Sequence, residues 1–116
     1  MIERIPINDY YKPMGCCFHE VITLAYTYNC NIRCDHCCYN CSPHRTEKMD
    51  ADDAKRILKG AVSSGIRTVE LMGGEPFLNY EELAELVEYS SKVGLYVAVD
   101  TNGFWGKTFN TAKSML

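Results

Sequence analysis

Three cysteines set eight residues from first to last, Cys30-x3-Cys34-x2-Cys37, oblige the stretch Asn29–Cys41 to close into one compact loop if their thiolates are to meet at a common centre. The number three is informative. A cubane iron–sulfur cluster has four irons and is normally closed by four cysteines, so a loop offering three leaves one iron for a non-protein ligand. Open metal sites serve chemistry and closed ones serve structure, which makes this loop a candidate for chemistry. Zinc is the alternative occupant. It takes four tetrahedral ligands, and Cys41, Cys38 or His44 could join the trio as the fourth.

The rest of the chain alternates strand and helix patterns. Val21 to Tyr28 is rich in β-branched and aromatic residues and reads as a buried strand leading into the cysteine loop. Asp50, with Asp53 three positions on, reads as a capping-box-like helix start. Ala54, Ile57, Leu58, Ala61 and Val62 then form one apolar helical face, with Gly65 just past its end. The pattern repeats: a strand from Ile66 to Met72, a helix opened by Asn79 and Glu82 with Leu83, Leu86, Val87 and Val93 inward, then Gly94 and a strand from Leu95 to Val99. Thr108 to Leu116 opens a third helix. Short connections between alternating elements predict an α/β fold with a parallel sheet and right-handed crossovers.

Three stretches with chemical potential fall at the C-terminal ends of these strands: the cysteine loop, Gly73-Gly74-Glu75-Pro76, and Asp100-Thr101-Asn102-Gly103. That rim is where parallel α/β folds place their active sites. Glycines at 73 and 74 present backbone without a Cβ to block approach, while Thr101 and Asn102 offer a hydroxyl and an amide. Residues 1–20 form a lead-in with Pro6, Pro13 and Gly15, and Cys16 and Cys17 within it read as small apolar residues before a strand.

Charge and cysteine usage narrow the class. A formal charge of −3 and a pI near 5.6 argue against a nucleic-acid-binding surface. No apolar run approaches the ~20 residues that span a bilayer, and the N-terminus lacks the apolar core of a secretion signal. Seven cysteines, an odd number without such a signal, read as cytosolic metal-binding thiols and not as a disulfide scaffold. Arg33, Arg45 and Lys48 near the loop read as solvated surface charge.

The cysteine loop, the Gly-Gly-Glu-Pro segment and the Asp-Thr-Asn-Gly segment, in that order, resemble the radical S-adenosylmethionine (radical SAM) superfamily from about Val21 onward. That family's core is an open six-unit β/α barrel, so the resemblance implies that residues 21–116 form its N-terminal half, about three βα units ending in the third helix. A half-barrel leaves the third strand's edge unpaired, which implies a truncated product, or a missing half supplied by another chain or by self-association.

The resemblance also implies cofactors and roles. Cys30, Cys34 and Cys37 would ligate a [4Fe–4S] cluster whose open iron is chelated by the amino and carboxylate groups of S-adenosylmethionine. Gly73, Gly74 and Glu75 would engage the methionine amino group, and Thr101, Asp100 and Asn102 the remainder of the cofactor. His36 stands where the family often has an aromatic packed by the adenine. An external donor of flavodoxin or ferredoxin type would reduce the cluster, and a 5′-deoxyadenosyl radical would take hydrogen from a substrate the sequence does not identify. Cys38 and Cys41 lie outside the family's trio and read as spare thiols.

Overall fold

The computed structural model describes residues 21–116; the lead-in of residues 1–20, with Cys16 and Cys17, lies outside the described residues. Three strands, β1 (Val21–Thr27), β2 (Thr68–Gly73) and β3 (Tyr96–Val99), form one sheet in the order β1-β2-β3. Both pairings are parallel, as the alternating pattern predicts. Leu24 stands opposite Leu71, and Leu71 opposite Val99, so partners share a face and neighbours alternate. One face therefore carries Leu24, Tyr26, Val69 and Leu71, which pack with Ala54, Leu58, Leu83, Leu86 and Leu95 of the crossover segments into the core. Each fully buried leucine or valine among them contributes about 1.5–3 kcal/mol over leaving it in water. The opposite face presents Thr23, Glu70 and Ala98 side by side, with the Thr23 hydroxyl donating to Glu70 at 2.9 Å.

The first crossover helix, α1 (Ala51–Ser63), begins where Asp50 accepts the amide of Asp52 at 2.9 Å. Asp53 does not complete a capping box; its carboxylate pairs with Arg56 one turn on. The inward stripe follows Ala54, Leu58 and Ala61, while Ile57, expected inside, is 39% exposed because it flanks that line. The next helix, α2 (Tyr80–Lys92), departs from expectation at its start. Asn79 makes no side-chain cap, because a 3₁₀ turn over Pro76–Asn79 already runs into the helix. The capping side chain is Glu75, which accepts the amide of Phe77 at 3.1 Å.

Both helices end by one device. Gly65 and Gly94 take φ of +88° and +97°, the left-handed conformation glycine adopts freely, and the next apolar residue bonds back into the last turn. Ile66 donates to Ala61 and Leu95 to Ser90. These residues close helices instead of opening strands, so β2 and β3 start at Thr68 and Tyr96, slightly later than the apolar pattern predicts. A second 3₁₀ turn (Phe104–Gly106) follows β3, and α3 (Phe109–Met115) opens with a reciprocal capping box between Thr108 and Thr111.

All three strands run the same way, so their C-terminal ends share one rim. The outer edge of β3 carries no partner strand among the described residues.

Candidate functional site

The cysteine loop is fastened at both ends before any ligand enters. Its return leg bridges to β1 and its extension through Thr27–Lys48 and Asn29–Ser42, with Tyr28 donating to Glu47 at 2.9 Å and Met49 to Tyr26 at 2.7 Å. Arg45, expected as solvated charge, is part of this fastening. Its guanidinium lies 4.8 Å from the centre of the Tyr28 ring and donates to the carbonyls of Tyr39 and Asn40, while Tyr28 stacks on Tyr39. The Asn29 side-chain amide donates to the Arg45 carbonyl at 2.9 Å.

Within the loop Cys30 is buried and Cys34 and Cys37 are half-buried, joined by a turn in which the Cys37 amide donates to the Cys34 carbonyl. All are free thiols. The Cys41 amide donates to the Cys37 sulfur at 3.4 Å, and this backbone donor is the main reason the Cys37 thiol lies below its usual pKa. Cys41 is buried and its pKa is pushed up to about 11, first by burial and then by facing Cys37. Cys38 is exposed. Among the described residues, no three His, Cys, Asp or Glu side chains gather closely enough to hold a single metal ion.

The Gly-Gly-Glu segment abuts the end of β1. A Cβ on Gly73 would sit 2.1 Å from the Thr27 carbonyl oxygen, and one on Gly74 would sit 2.0 Å from that of Asn29, so backbone occupies the space a side chain would need. Gly73 also has φ of +139°. The closeness has a purpose: Gly74 donates to Thr27 at 2.7 Å and Glu75 to Asn29 at 2.9 Å. The glycine pair thus has a packing reason of its own, beyond the ligand approach that its lack of side chains suggests.

Glu75 is only 1% exposed, yet both of its oxygens have partners. One accepts the Thr101 hydroxyl at 2.7 Å along with the Phe77 amide, and the other accepts the Asn102 amide at 2.7 Å. Thr101 in turn accepts from Gly103 at 3.1 Å and from the Trp105 indole at 2.9 Å, and Trp105 stacks on Phe77 with centroids 4.5 Å apart. The Asn102 side-chain amide donates to Asn31 at 2.8 Å, and the same Asn31 oxygen faces the Cys30 sulfur at 3.9 Å. One hydrogen-bonded line therefore runs from the end of β2, through the end of β3, to the first cysteine.

Beside this line Met72, Gly73, Gly74, Val99, Asp100, Thr101 and Asn102 border an open groove of about 460 Å³. Of the predicted residues, the structure brings Gly73, Gly74, Asp100, Thr101 and Asn102 to this groove and places Glu75 beneath its rim; His36 is exposed on the cysteine loop. Asp100 has its pKa raised, mostly by burial and then by the Glu70 charge. Asn31, Phe77 and Trp105 escaped the sequence reading. Only Asn31 left a signal there, as the residue following the first cysteine.

The Radical SAM superfamily model matches residues 24–114. The putative peptide biosynthesis protein YydG of Bacillus subtilis (strain 168) is 31% identical over 90 residues, covering 77% of this chain and 28% of that protein. A GTP 3′,8-cyclase of Clostridium acetobutylicum is 34% identical over 88 residues, covering 72% and 27%. The antilisterial bacteriocin subtilosin biosynthesis protein AlbA of B. subtilis is 32% identical over 81 residues, covering 70% and 18%. The chain spans about a quarter of the length of the first two.

Proposed function

The chain belongs to the radical SAM superfamily, and from that premise we propose that Cys30, Cys34 and Cys37 hold a [4Fe–4S] cluster beside an S-adenosylmethionine site at the strand rim. The donor set fits: three soft thiolates in one fastened loop suit iron–sulfur ligation. When bound, the reduced cluster supplies the electron that splits S-adenosylmethionine to methionine and a 5′-deoxyadenosyl radical, which abstracts hydrogen from a substrate. An external one-electron donor of flavodoxin or ferredoxin type completes the cycle. No helix among the described residues is long and apolar enough to cross a membrane.

The observation that carries this reading is the line Glu75–Asn102–Asn31–Cys30, which ties all three motifs into one rim. With the amides of Gly74 and Glu75 bonded to β1, the glycine segment has carbonyl oxygens left to offer, the partners an ammonium group requires. Glu75 from beneath and Thr101 at the groove hold the two strand ends together. Asn102 orients the cysteine loop, Asp100 faces the groove as an acceptor for hydroxyl groups, and His36 stands at the loop's exposed side for the adenine. We read the outer edge of β3 as the edge onto which further βα units pair, whether they follow in the same chain or come from another. The zinc alternative would place Cys30, Cys34, Cys37 and Cys41 around one ion, and it has no use for the glycine pair and the Thr101–Asn102 turn that the hydrogen-bonded line joins to the loop.

Anaerobic reconstitution with iron and sulfide tests the proposal. About four irons per chain and a reduced-cluster paramagnetic signal that S-adenosylmethionine perturbs are expected. Colourless protein with one tightly bound zinc overturns it.

A further inference from the structure

Asn40 is the one non-glycine residue among those described with a positive φ, +51°. Left-handed backbone costs an ordinary L-residue about 1–2 kcal/mol, and asparagine tolerates it better than most. Here the turn has a visible product. The chain reverses after Tyr39, Asn40 donates to the Cys37 carbonyl at 3.1 Å, and the next amide, that of Cys41, swings round to the Cys37 sulfur at 3.4 Å. Arg45 locks the turn by donating to the carbonyls of Tyr39 and Asn40. The Cys41 residue is 3% exposed.

We propose that the Asn40–Cys41 turn is a built donor to the third cluster ligand: Asn40 holds the Cys41 amide on the Cys37 sulfur, and Cys41 positions that ligand without ligating iron itself. The inference rests on the cluster assignment made above. An N–H···S bond withdraws charge from an iron-bound thiolate and stabilises the reduced cluster, since hydrogen bonds to the sulfurs help set the potential of such centres. Cys41 lies outside the three-cysteine set assigned to the cluster, and the contact the structure gives it with Cys37 runs through its backbone amide.

The test compares reduction midpoint potentials and iron content of the reconstituted chain for wild type, Asn40→Gly, Asn40→Val, Cys41→Ala and, as the ligand-loss control, Cys37→Ala. Glycine keeps the left-handed turn and should leave the potential unchanged. Valine disfavours it and should shift the one-electron equilibrium towards the oxidised cluster by about tenfold, 59 mV; if that variant does not fold, Asn40→Ala should give a smaller shift of the same sign. Cys41→Ala should retain the full iron content, because its backbone amide is intact. Equal potentials for the glycine variant and whichever of the valine or alanine variants folds, or iron loss in Cys41→Ala matching that in Cys37→Ala, overturn this inference while leaving the cluster assignment standing. Failure of the wild type to take up four irons overturns the assignment, and this inference with it.

Discussion

The Glu75 carboxylate accepts the Thr101 hydroxyl at 2.7 Å, joining the ends of β2 and β3 across 26 residues of sequence. Because Glu75 also accepts from Phe77 and Asn102, a single buried side chain sets the start of one crossover and the end of the next strand. The rim is held by side chains as much as by the sheet ladder.

Removing that brace should be costly. Glu75→Ala leaves two amides and a hydroxyl without their acceptor, and hydrogen bonds to a charged group are worth about 1.5–3 kcal/mol each in net terms. A loss of about 3 kcal/mol or more in urea unfolding is expected. Thr101→Val should cost less, and the double variant should show coupling of about 1 kcal/mol or more. Strict additivity would mean that the two residues act independently.

The glycines divide by what surrounds them. Gly74→Ala places a Cβ 2.0 Å from the Asn29 oxygen, so backbone has to move and the bonds from Gly74 to Thr27 and from Glu75 to Asn29 lengthen. Gly60 lies inside α1 with nothing within 4 Å of its would-be Cβ. Gly60→Ala should therefore stabilise by roughly 0.5–1 kcal/mol, against a loss of several kcal/mol at Gly74 on the scale of backbone strain and broken hydrogen bonds. Thermal melts of the two variants check the contrast; a tolerated Gly74→Ala would sink the packing explanation.

Much of the architecture was legible because period and punctuation agreed. Leu58, Leu83 and Leu86 fall on clean helical stripes, and Gly65 and Gly94 mark both helix ends. What escaped depended on contacts distant in sequence. Nothing local says that Ile66 and Leu95 close helices before strands begin, or that a buried Glu75 displaces Asn79 as the cap. The site divides in the same way. The three motifs were readable as spacings, but their connection through Asn31 spans 71 residues to Asn102 and has no sequence signature. Arg45 looked like solvent charge, but its guanidinium lies over the Tyr28 ring and donates to the Tyr39 carbonyl.

Asp100 and Glu70 provide a titration test on the open face of the sheet. Burial raises the Asp100 pKa first and the Glu70 charge second. Glu70→Gln removes only the second cause, so the carboxyl should titrate lower than in the wild type while staying above its ordinary value. Carboxyl-carbon NMR across the acid range measures both. Because the folded-state pKa is raised, Asp100 opposes folding once ionised. Its contribution therefore improves as pH falls from the raised pKa towards the ordinary 3.8. An Asp100 pKa unchanged by Glu70→Gln would show that burial acts alone.

The metal-free chain should also lose stability in alkali, and Cys41 allows the sign to be worked out. Its thiol ionises near 9.0 in an unfolded chain and is pushed up to about 11 in the fold, chiefly by burial. Between those values the folded state keeps a proton that the unfolded state has lost, so folding stability falls as pH rises through this window. The contribution is fully present below pH 9 and gone above 11. Buried Tyr26, also raised by burial first, adds a loss of the same sign at higher pH. Cys41→Ala isolates the thiol. Denaturant midpoints at pH 8 and pH 10.5, taken anaerobically with reductant, should differ less in the variant than in the wild type. An identical pH dependence in both would mean that the Cys41 proton is not held by the fold.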